Sequence, residues 1–197
     1  GAPDGIKKLR ALILDLAVRG RLVHQDPTDT PAAELLSKTA QVKEQRNRGR
    51  RQSNVAHLGT VPSCVDLSPV PRGWACAQLS FLALKLTDGS HNPPRDAGRG
   101  IPMLSSQNVL DGRIDFTRPS RFIAKEDFDV EDARTSVAPG DVLLTIVASI
   151  GRSAVVPDDA PSFVLQRSVA VIQTLLVPSF LSLLFRSPLS LAYFTKH

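Results

Sequence analysis

Almost none of the side-chain chemistry behind catalysis, metal binding or covalent cross-linking is present in this chain. Its two cysteines, Cys64 and Cys76, are too few for a disulfide scaffold, and no Cys/His cluster has zinc spacing, so neither a secreted mini-protein nor a zinc module is expected. That usage fits a reducing cytoplasm. No lysine has an acidic residue two positions before it, which removes the acid-x-Lys element common in metal-dependent nucleases. Phosphate-cradling, HExxH and GxSxG motifs are absent as well. His91 lies near Asp88 as half of a catalytic pair would, but no nucleophile accompanies them, and a loop histidine bonding a backbone group is the simpler expectation. The sequence therefore predicts a non-catalytic protein with no cofactor and no metal.

One stretch imitates an enzyme. Asn92-Pro93-Pro94 matches the start of the Asn-Pro-Pro-aromatic signature of adenine-amino methyltransferases, in which the aromatic stacks on a flipped base. Here Arg95 stands in the aromatic position, and no glycine-rich strand-to-helix turn precedes it to hold a cofactor. A proline-rich loop accounts for the residues.

Long apolar runs are also scarce. The longest uncharged stretch, 168–185, is divided by Pro178 and carries Gln173, Thr174, Ser179 and Ser182, so it reads as a strand followed by a helix and not as a membrane span. Residues 1–21 are amphipathic and charged, unlike a signal peptide.

What is present is an ordinary globular composition, 42% hydrophobic and 22% charged, with 15 prolines that predict many turns. The net charge of +5 is carried by residues 1–52, with eleven basic residues against six acidic; the remainder holds thirteen of each. Within that neutral part the signs separate along the chain. Arg95, Arg99, Arg113, Arg118 and Arg121 precede an acidic block of Glu126, Asp127, Asp129, Glu131 and Asp132. Its basic residues are nearly all arginine, the side chain suited to bidentate contact with guanine edges and phosphates.

Residues 1–3 are set aside as an expression remnant. Ile6, Leu9, Leu12, Ile13, Leu16 and Ala17 make the single apolar stripe of an amphipathic helix, with Gly20 placed to close it. Thr30 as N-cap and Pro31 at the first position predict a second helix, reaching toward Arg46. Two helices with one stripe each must pack on the rest of the chain or on a partner. The basic run Lys43–Arg51 could track a phosphate backbone, although such runs at helix ends are usually solvated. The expected organisation is a helical region over 4–52, a proline-bearing linker over 53–72 and a larger domain over 73–197 that starts near Gly73-Trp74.

Trp74 to Leu86 is ambiguous between strand and helix, and 87–100 is a loop too long to be idle in a compact domain. Ile101–Leu104 is a short strand, 105–112 is turn-rich, and 122–138 should hold a helix. The core is expected in 139–172, where Val142–Ala148, Ala154–Val156 and Phe163–Ile172 read as three consecutive strands of a meander. Helices opening at Pro178 and Pro188 follow. The fold class is α+β: two N-terminal helices, then a mixed α/β domain with a central β-meander and C-terminal helices.

The remaining chemistry suits recognition. Gln107 and Asn108 carry amides that match adenine N6/N7, Arg113, Arg152 and Arg167 carry forks that match guanine O6/N7, and Gln166 lies beside Arg167 in or at the entry to the third strand. With Ser105, these are the candidate DNA-contacting residues.

These stretches carry a resemblance. The opening 6–36, Pro71-Arg72-Gly73-Trp74, Asp88-Gly89-Ser90-His91, Gly100-Ile101-Pro102 with Asn108, Gly140-Asp141-Val142-Leu143, Ser149-Ile150-Gly151-Arg152 and Gln166-Arg167-Ser168 follow a characteristic order. In it the chain resembles the DNA-specificity subunit of type I restriction-modification systems, over its first helical conserved region and first target-recognition domain. The resemblance implies a subunit without catalysis, reading one half of a split double-stranded DNA target. It also implies assembly with adenine methyltransferase subunits and with the translocating endonuclease subunit, and no membrane. Full subunits of this kind hold two recognition domains, and this sequence matches one. A fragment, or a half-length form that pairs with a second copy, is expected.

Overall fold

A computed structural model of the protein describes residues 2–47 and 70–196. The chain divides into two compact units, Gly1–Leu84 with Ser187–Leu189 and Lys85–Arg186 with Ser190–His197.

In the first unit, helix α1 (Ala2–Val18) ends as its sequence requires. Gly20 takes φ 65°, its N–H reaches Ala17 O at 3.0 Å, and the Arg21 N–H reaches Leu16 O at 2.8 Å, the paired closure of a Schellman motif. A side chain at Gly20 would also collide with Pro71 and the Trp74 indole, at 2.8 and 2.9 Å. Pro71-Arg72-Gly73-Trp74 is a tight turn, with the Trp74 N–H on Pro71 O at 3.1 Å and Gly73 at φ 83°. Gly73 O then accepts the Ala32 N–H at 2.8 Å, at the first residue of α2 (Ala32–Asn47). Pro31 thus precedes the helix and does not open it.

Trp74 Nε1–H donates to Gln25 Oε1 at 2.7 Å, and Gln25 Nε2 donates back to Gly20 O at 2.9 Å. The turn at Gly73-Trp74, where the larger domain was expected to start, is thus tied to the helical segment. These residues pack with the helices, and the first unit runs to Leu84. Lys43 is used locally: its Nζ donates to Ser80 O and Phe81 O at 2.7 and 3.0 Å, and burial lowers its pKa. The rest of the expected basic run, from Arg48 to Arg51, lies outside the described residues. The same holds for Cys64. Ile6, Leu9, Leu12 and Ile13 of α1 remain 44–57% exposed.

The ambiguous stretch after Trp74 holds both structures, one helical turn α3 (Leu79–Leu82) running into strand β1 (Ala83–Asp88). The second unit then adds β2 (Ile101–Leu104), β3 (Val109–Leu110), β4 (Arg113–Ile114) and β5 (Arg121–Ile123). A 3-10 turn at Lys125–Asp127 leads into α4 (Phe128–Thr135). The acidic block thereby falls at the helix start, where the dipole favours it. Strands β6 (Val142–Thr145), β7 (Ser153–Val155), β8 (Val164–Leu165) and β9 (Val169–Thr174) follow, then α5 (Pro178–Phe185) and α6 (Pro188–Lys196). No described helix is long and apolar enough to cross a membrane.

The α+β class holds, but the meander does not. One sheet has the order β1-β9-β6-β7, so β6 is central, and the expected third strand is two strands in different sheets. Its first half, β8, pairs parallel to β2, with Met103 opposite Val164 and Leu104 opposite Leu165. A turn then closes with the Val169 N–H on Gln166 O at 3.0 Å, and β9 runs antiparallel to β6.

Side chains on adjacent strand residues face opposite ways, so the β2–β8 ladder feeds two cores. Met103 and Val164 pack with Ile123, while Leu104 and Leu165 join Val109, Leu143, Val169 and Val171. Phe116 sits edge-on to Phe163 beside the larger cluster, with ring centroids 5.4 Å apart. β6 is buried at every position, which is why it reads in the sequence as an unbroken apolar run and not as an alternation.

Candidate nucleic-acid interface

Three polypeptide turns meet at Ser168. Its Oγ accepts the Ser106 N–H at 3.0 Å, and its carbonyl accepts the Ile146 N–H at 3.0 Å. The 105–108 turn, the 166–168 turn and the β6–β7 loop are thus hydrogen-bonded through one residue.

The 105–108 turn is built by Asn108. Its Oδ1 accepts the Ser105 N–H at 3.0 Å, and its Nδ2 donates to Asp115 O and Arg118 O at 3.0 and 2.8 Å. Both amide protons are used, and the side chain is buried. This is a different role from base contact: Asn108 holds the turn that presents its neighbour. Ser105 is likewise buried, with Oγ accepting the Gln107 N–H. Gln107, between them, is exposed. Asp115, which closes the following loop, has its carboxyl held below the usual range by hydrogen bonds from the Thr117 hydroxyl and N–H.

The 166–168 turn is fixed from the other side by Asp88-Gly89-Ser90-His91. The Ser90 N–H donates to Leu165 O at 2.7 Å, and Ser90 O accepts the Arg167 N–H at 3.0 Å. Gly89 has backbone at its back: a Cβ there would come within 2.2 Å of Leu165 O. Asp88 fastens the outside. Its carboxylate takes Arg134 Nη2 at 2.6 Å and His91 Nε2 at 2.7 Å, and Arg134 Nε also donates to Asp88 O at 2.9 Å. Partial burial pushes the Asp88 carboxyl up, but the hydrogen bonds and charges of Arg134 and His91 outweigh it and leave the pKa lowered. His91 therefore bonds a carboxylate, where a backbone partner was expected, and the arrangement is a clamp between α4 and the turn. On the turn itself, Gln166 Nε2 donates to Ser120 Oγ at 3.1 Å, and Arg167 is exposed with no side-chain partner among the described residues.

The β6–β7 loop is set by Thr145, which is fully buried. Its Oγ1 donates to Ser149 O and accepts the Arg152 N–H at 3.0 Å, while its own N–H reaches Arg152 O at 2.9 Å. Gly151, at φ 93°, has no room for a side chain beneath Leu191 and Phe194 of α6. Ala148 is held at φ 66°, a conformation that costs a non-glycine residue about 1 kcal/mol. Arg152 is half-buried at the loop's end, and its guanidinium has no described partner. Arg113 joins from a fourth side. The β3–β4 hairpin, registered by Leu110 opposite Arg113, docks its tip through the Gly112 N–H on Ser153 O at 2.9 Å, next to Arg152.

The long loop 89–100 is pinned as well. Asp96 accepts the Gly98 and Phe122 N–H groups at 2.9 and 3.1 Å, bonds that lower its pKa, and Arg121 Nη1 donates to Pro94 O at 2.8 Å. A carbonyl of the Asn-Pro-Pro segment is thus already engaged within the fold. No group of three or more candidate metal ligands occurs among the described residues.

The structure therefore gathers all seven sequence candidates around linked turns and sorts them. Gln107, Arg113, Arg152 and Arg167 are available at the surface or its edge, Gln166 is partly engaged, and Ser105 and Asn108 are buried supports. Sequence reasoning missed Ser168 as the junction, although it ends the Gln166-Arg167-Ser168 block. It also missed that Ile146 and Val147, which read as strand interior, form an exposed apolar tip with Ile150 of the following turn.

Comparison with known proteins bears on what this arrangement serves. No family model matches the chain. The EcoEI type I restriction enzyme specificity subunit of Escherichia coli is 43% identical over 148 residues, 71% of this chain and 23% of that protein. The EcoAI specificity subunit, also of Escherichia coli, is 34% identical over 149 residues, with the same shares. A solved HsdS subunit from Thermoanaerobacter tengcongensis aligns with 90% of this chain and 39% of its own, at 16% identity and a TM-score of 0.42. The chain spans about a quarter of the length of the two Escherichia coli relatives. It belongs to the family of type I restriction-enzyme specificity subunits.

Proposed function

We propose that this chain is the sequence-specific DNA-binding module of a type I restriction-modification specificity subunit, reading one half of a bipartite double-stranded target. The observation that carries it is the joining, through Ser168, of turns that present Gln107, Arg152 and Arg167 on hydrogen-bonded backbone. Forks and amides held on rigid supports are what base-edge readout requires, because a contact misplaced by an ångström is lost. The module has no catalysis of its own. Its role is to direct adenine methyltransferase subunits and the endonuclease/translocase subunit to the site, in the cytoplasm.

The exposed stripe of α1 at Ile6, Leu9, Leu12 and Ile13 is the surface offered to the methyltransferase subunits, since four large apolar side chains at helical spacing need cover. The same stripe supports a second reading, a protein-interaction module without base readout. A half-length protein would pair with a second copy to supply two half-sites.

Selection of bound duplexes from a random pool, at low and moderate salt and with and without methyltransferase subunits, separates these. Enrichment of a short motif that survives moderate salt establishes target reading. Salt-sensitive binding without a motif reduces the surface to electrostatics. No binding even with the partner subunits leaves the interaction module.

A further inference from the structure

The tip of the β6–β7 loop is apolar at a place where solvent would favour polar side chains. Ile146, Val147 and Ile150 are 39, 49 and 48% exposed. The backbone beneath them is fixed at both ends, by the bonds of Thr145 to Ser149 and Arg152 and by the Ile146 N–H on Ser168 O. Ala148 stays in the left-handed region to make the turn. An apolar cluster held this firmly matches a partner of fixed shape. Its neighbours in the chain and across Ser168 are Arg152 and Arg167, neither with a side-chain partner among the described residues. Aliphatic groups flanked by free guanidinium groups complement a surface that is anionic at its margins and has isolated apolar points within.

We infer that this loop reads thymine, by packing Ile146, Val147 and Ile150 against C5-methyl groups in the major groove of the target. The inference rests on the DNA-reading role proposed above and assigns that surface a base preference. The thymine methyl is the one apolar marker on a base-pair edge, and it lies in the major groove. A loop carried on two paired strands suits that groove, about 12 Å wide, and not the minor groove of about 6 Å. The arginines beside the tip would take phosphates or guanine edges on either side.

The test uses the chain with whichever partner subunits it needs to bind, and duplexes carrying its selected half-site. Each thymine is replaced in turn by deoxyuridine, which removes only the methyl. Wild-type protein is expected to lose about fourfold in affinity at one or two positions, the value of burying one such group. The variant Ile146→Ser/Val147→Ser/Ile150→Ser should bind more weakly and treat thymine and uracil duplexes alike. Its thermal unfolding should match wild type, because the three side chains are exposed. Equal binding of thymine and uracil duplexes by wild type overturns the inference, as does methyl dependence that persists in the variant. A selected motif lacking A·T pairs overturns it too and leaves target reading intact. Failure to select any motif removes both together and is seen before deoxyuridine is introduced.

Discussion

Gly89 and Leu165 meet backbone to backbone: a Cβ on Gly89 would lie 2.2 Å from the Leu165 carbonyl oxygen and 2.4 Å from its carbon. No side-chain rotation relieves such an overlap, so the turn that holds Arg167 can form only with glycine at this position. Gly89→Ala must part the Asp88–His91 turn from β8 and break the Ser90–Leu165 bond of 2.7 Å. The expected loss is about 3 kcal/mol of stability, read from urea or thermal unfolding. Unchanged unfolding would mean that the two segments separate freely and that Arg167 is not rigidly presented.

Asn108 offers a sharper separation of support from contact. Asn108→Asp keeps the shape and the acceptor for Ser105 but turns the donor to Asp115 O and Arg118 O into a second acceptor. Two carbonyls lose their partner and face a buried oxygen, a cost of about 2–3 kcal/mol or more. A drop in melting temperature without DNA present is the expected result. Loss of DNA binding with full thermal stability would instead restore Asn108 as a base contact.

Much of this arrangement was legible from local rules. Gly20, Pro178 and Pro188 marked helix ends and starts because backbone conformation and a missing N–H act within a few residues. The strands β2, β6 and β7 were visible as apolar runs. The division of 163–172 was not, because Val164-Leu165 and Val169–Thr174 have the same composition and are separated only by what they pair with: β2 and β6. Pairing partners lie far away in sequence and leave no local trace. Site candidates met the same limit. Asn108 and Gln107 are adjacent amides, and only burial tells which one is spent. The apolar tip failed for the opposite reason, since Ile146 and Val147 look like a strand and are exposed only because Thr145 turns the chain.

Asp88 makes stability depend on pH in a definite direction. Its carboxyl pKa is lowered in the folded protein, where Arg134 and His91 outweigh partial burial. The stabilisation is therefore complete above the unfolded carboxylate value of about 4 and is lost as pH falls through the lower folded value. Asp88→Asn removes the ion pair with Arg134 at any pH. The gap between wild-type and variant urea midpoints should be open at about pH 5 and close at more acid pH, once wild-type Asp88 is protonated. A gap independent of pH would show that the clamp works through packing and not through charge.

Arg152 and Arg167 flank the same loop and need not do the same work. An arginine that reads a base, changed to alanine, costs about 1–3 kcal/mol on the selected target and relaxes preference at one position. An arginine on a phosphate weakens all duplexes alike and lowers the slope of log affinity against log salt by about one. Arg167 lies on the turn clamped by Ser90 through the 3.0 Å bond to its N–H, with Gln166 beside it, so base reading is expected there. Arg152 is half-buried where the apolar tip returns to β7, and a phosphate contact is expected. Titrations of Arg152→Ala and Arg167→Ala against matched and scrambled duplexes at several salt concentrations separate the two. If both variants lose affinity uniformly, the turn at 166–168 positions the domain and recognition lies with Gln107, Arg113 and the loop tip.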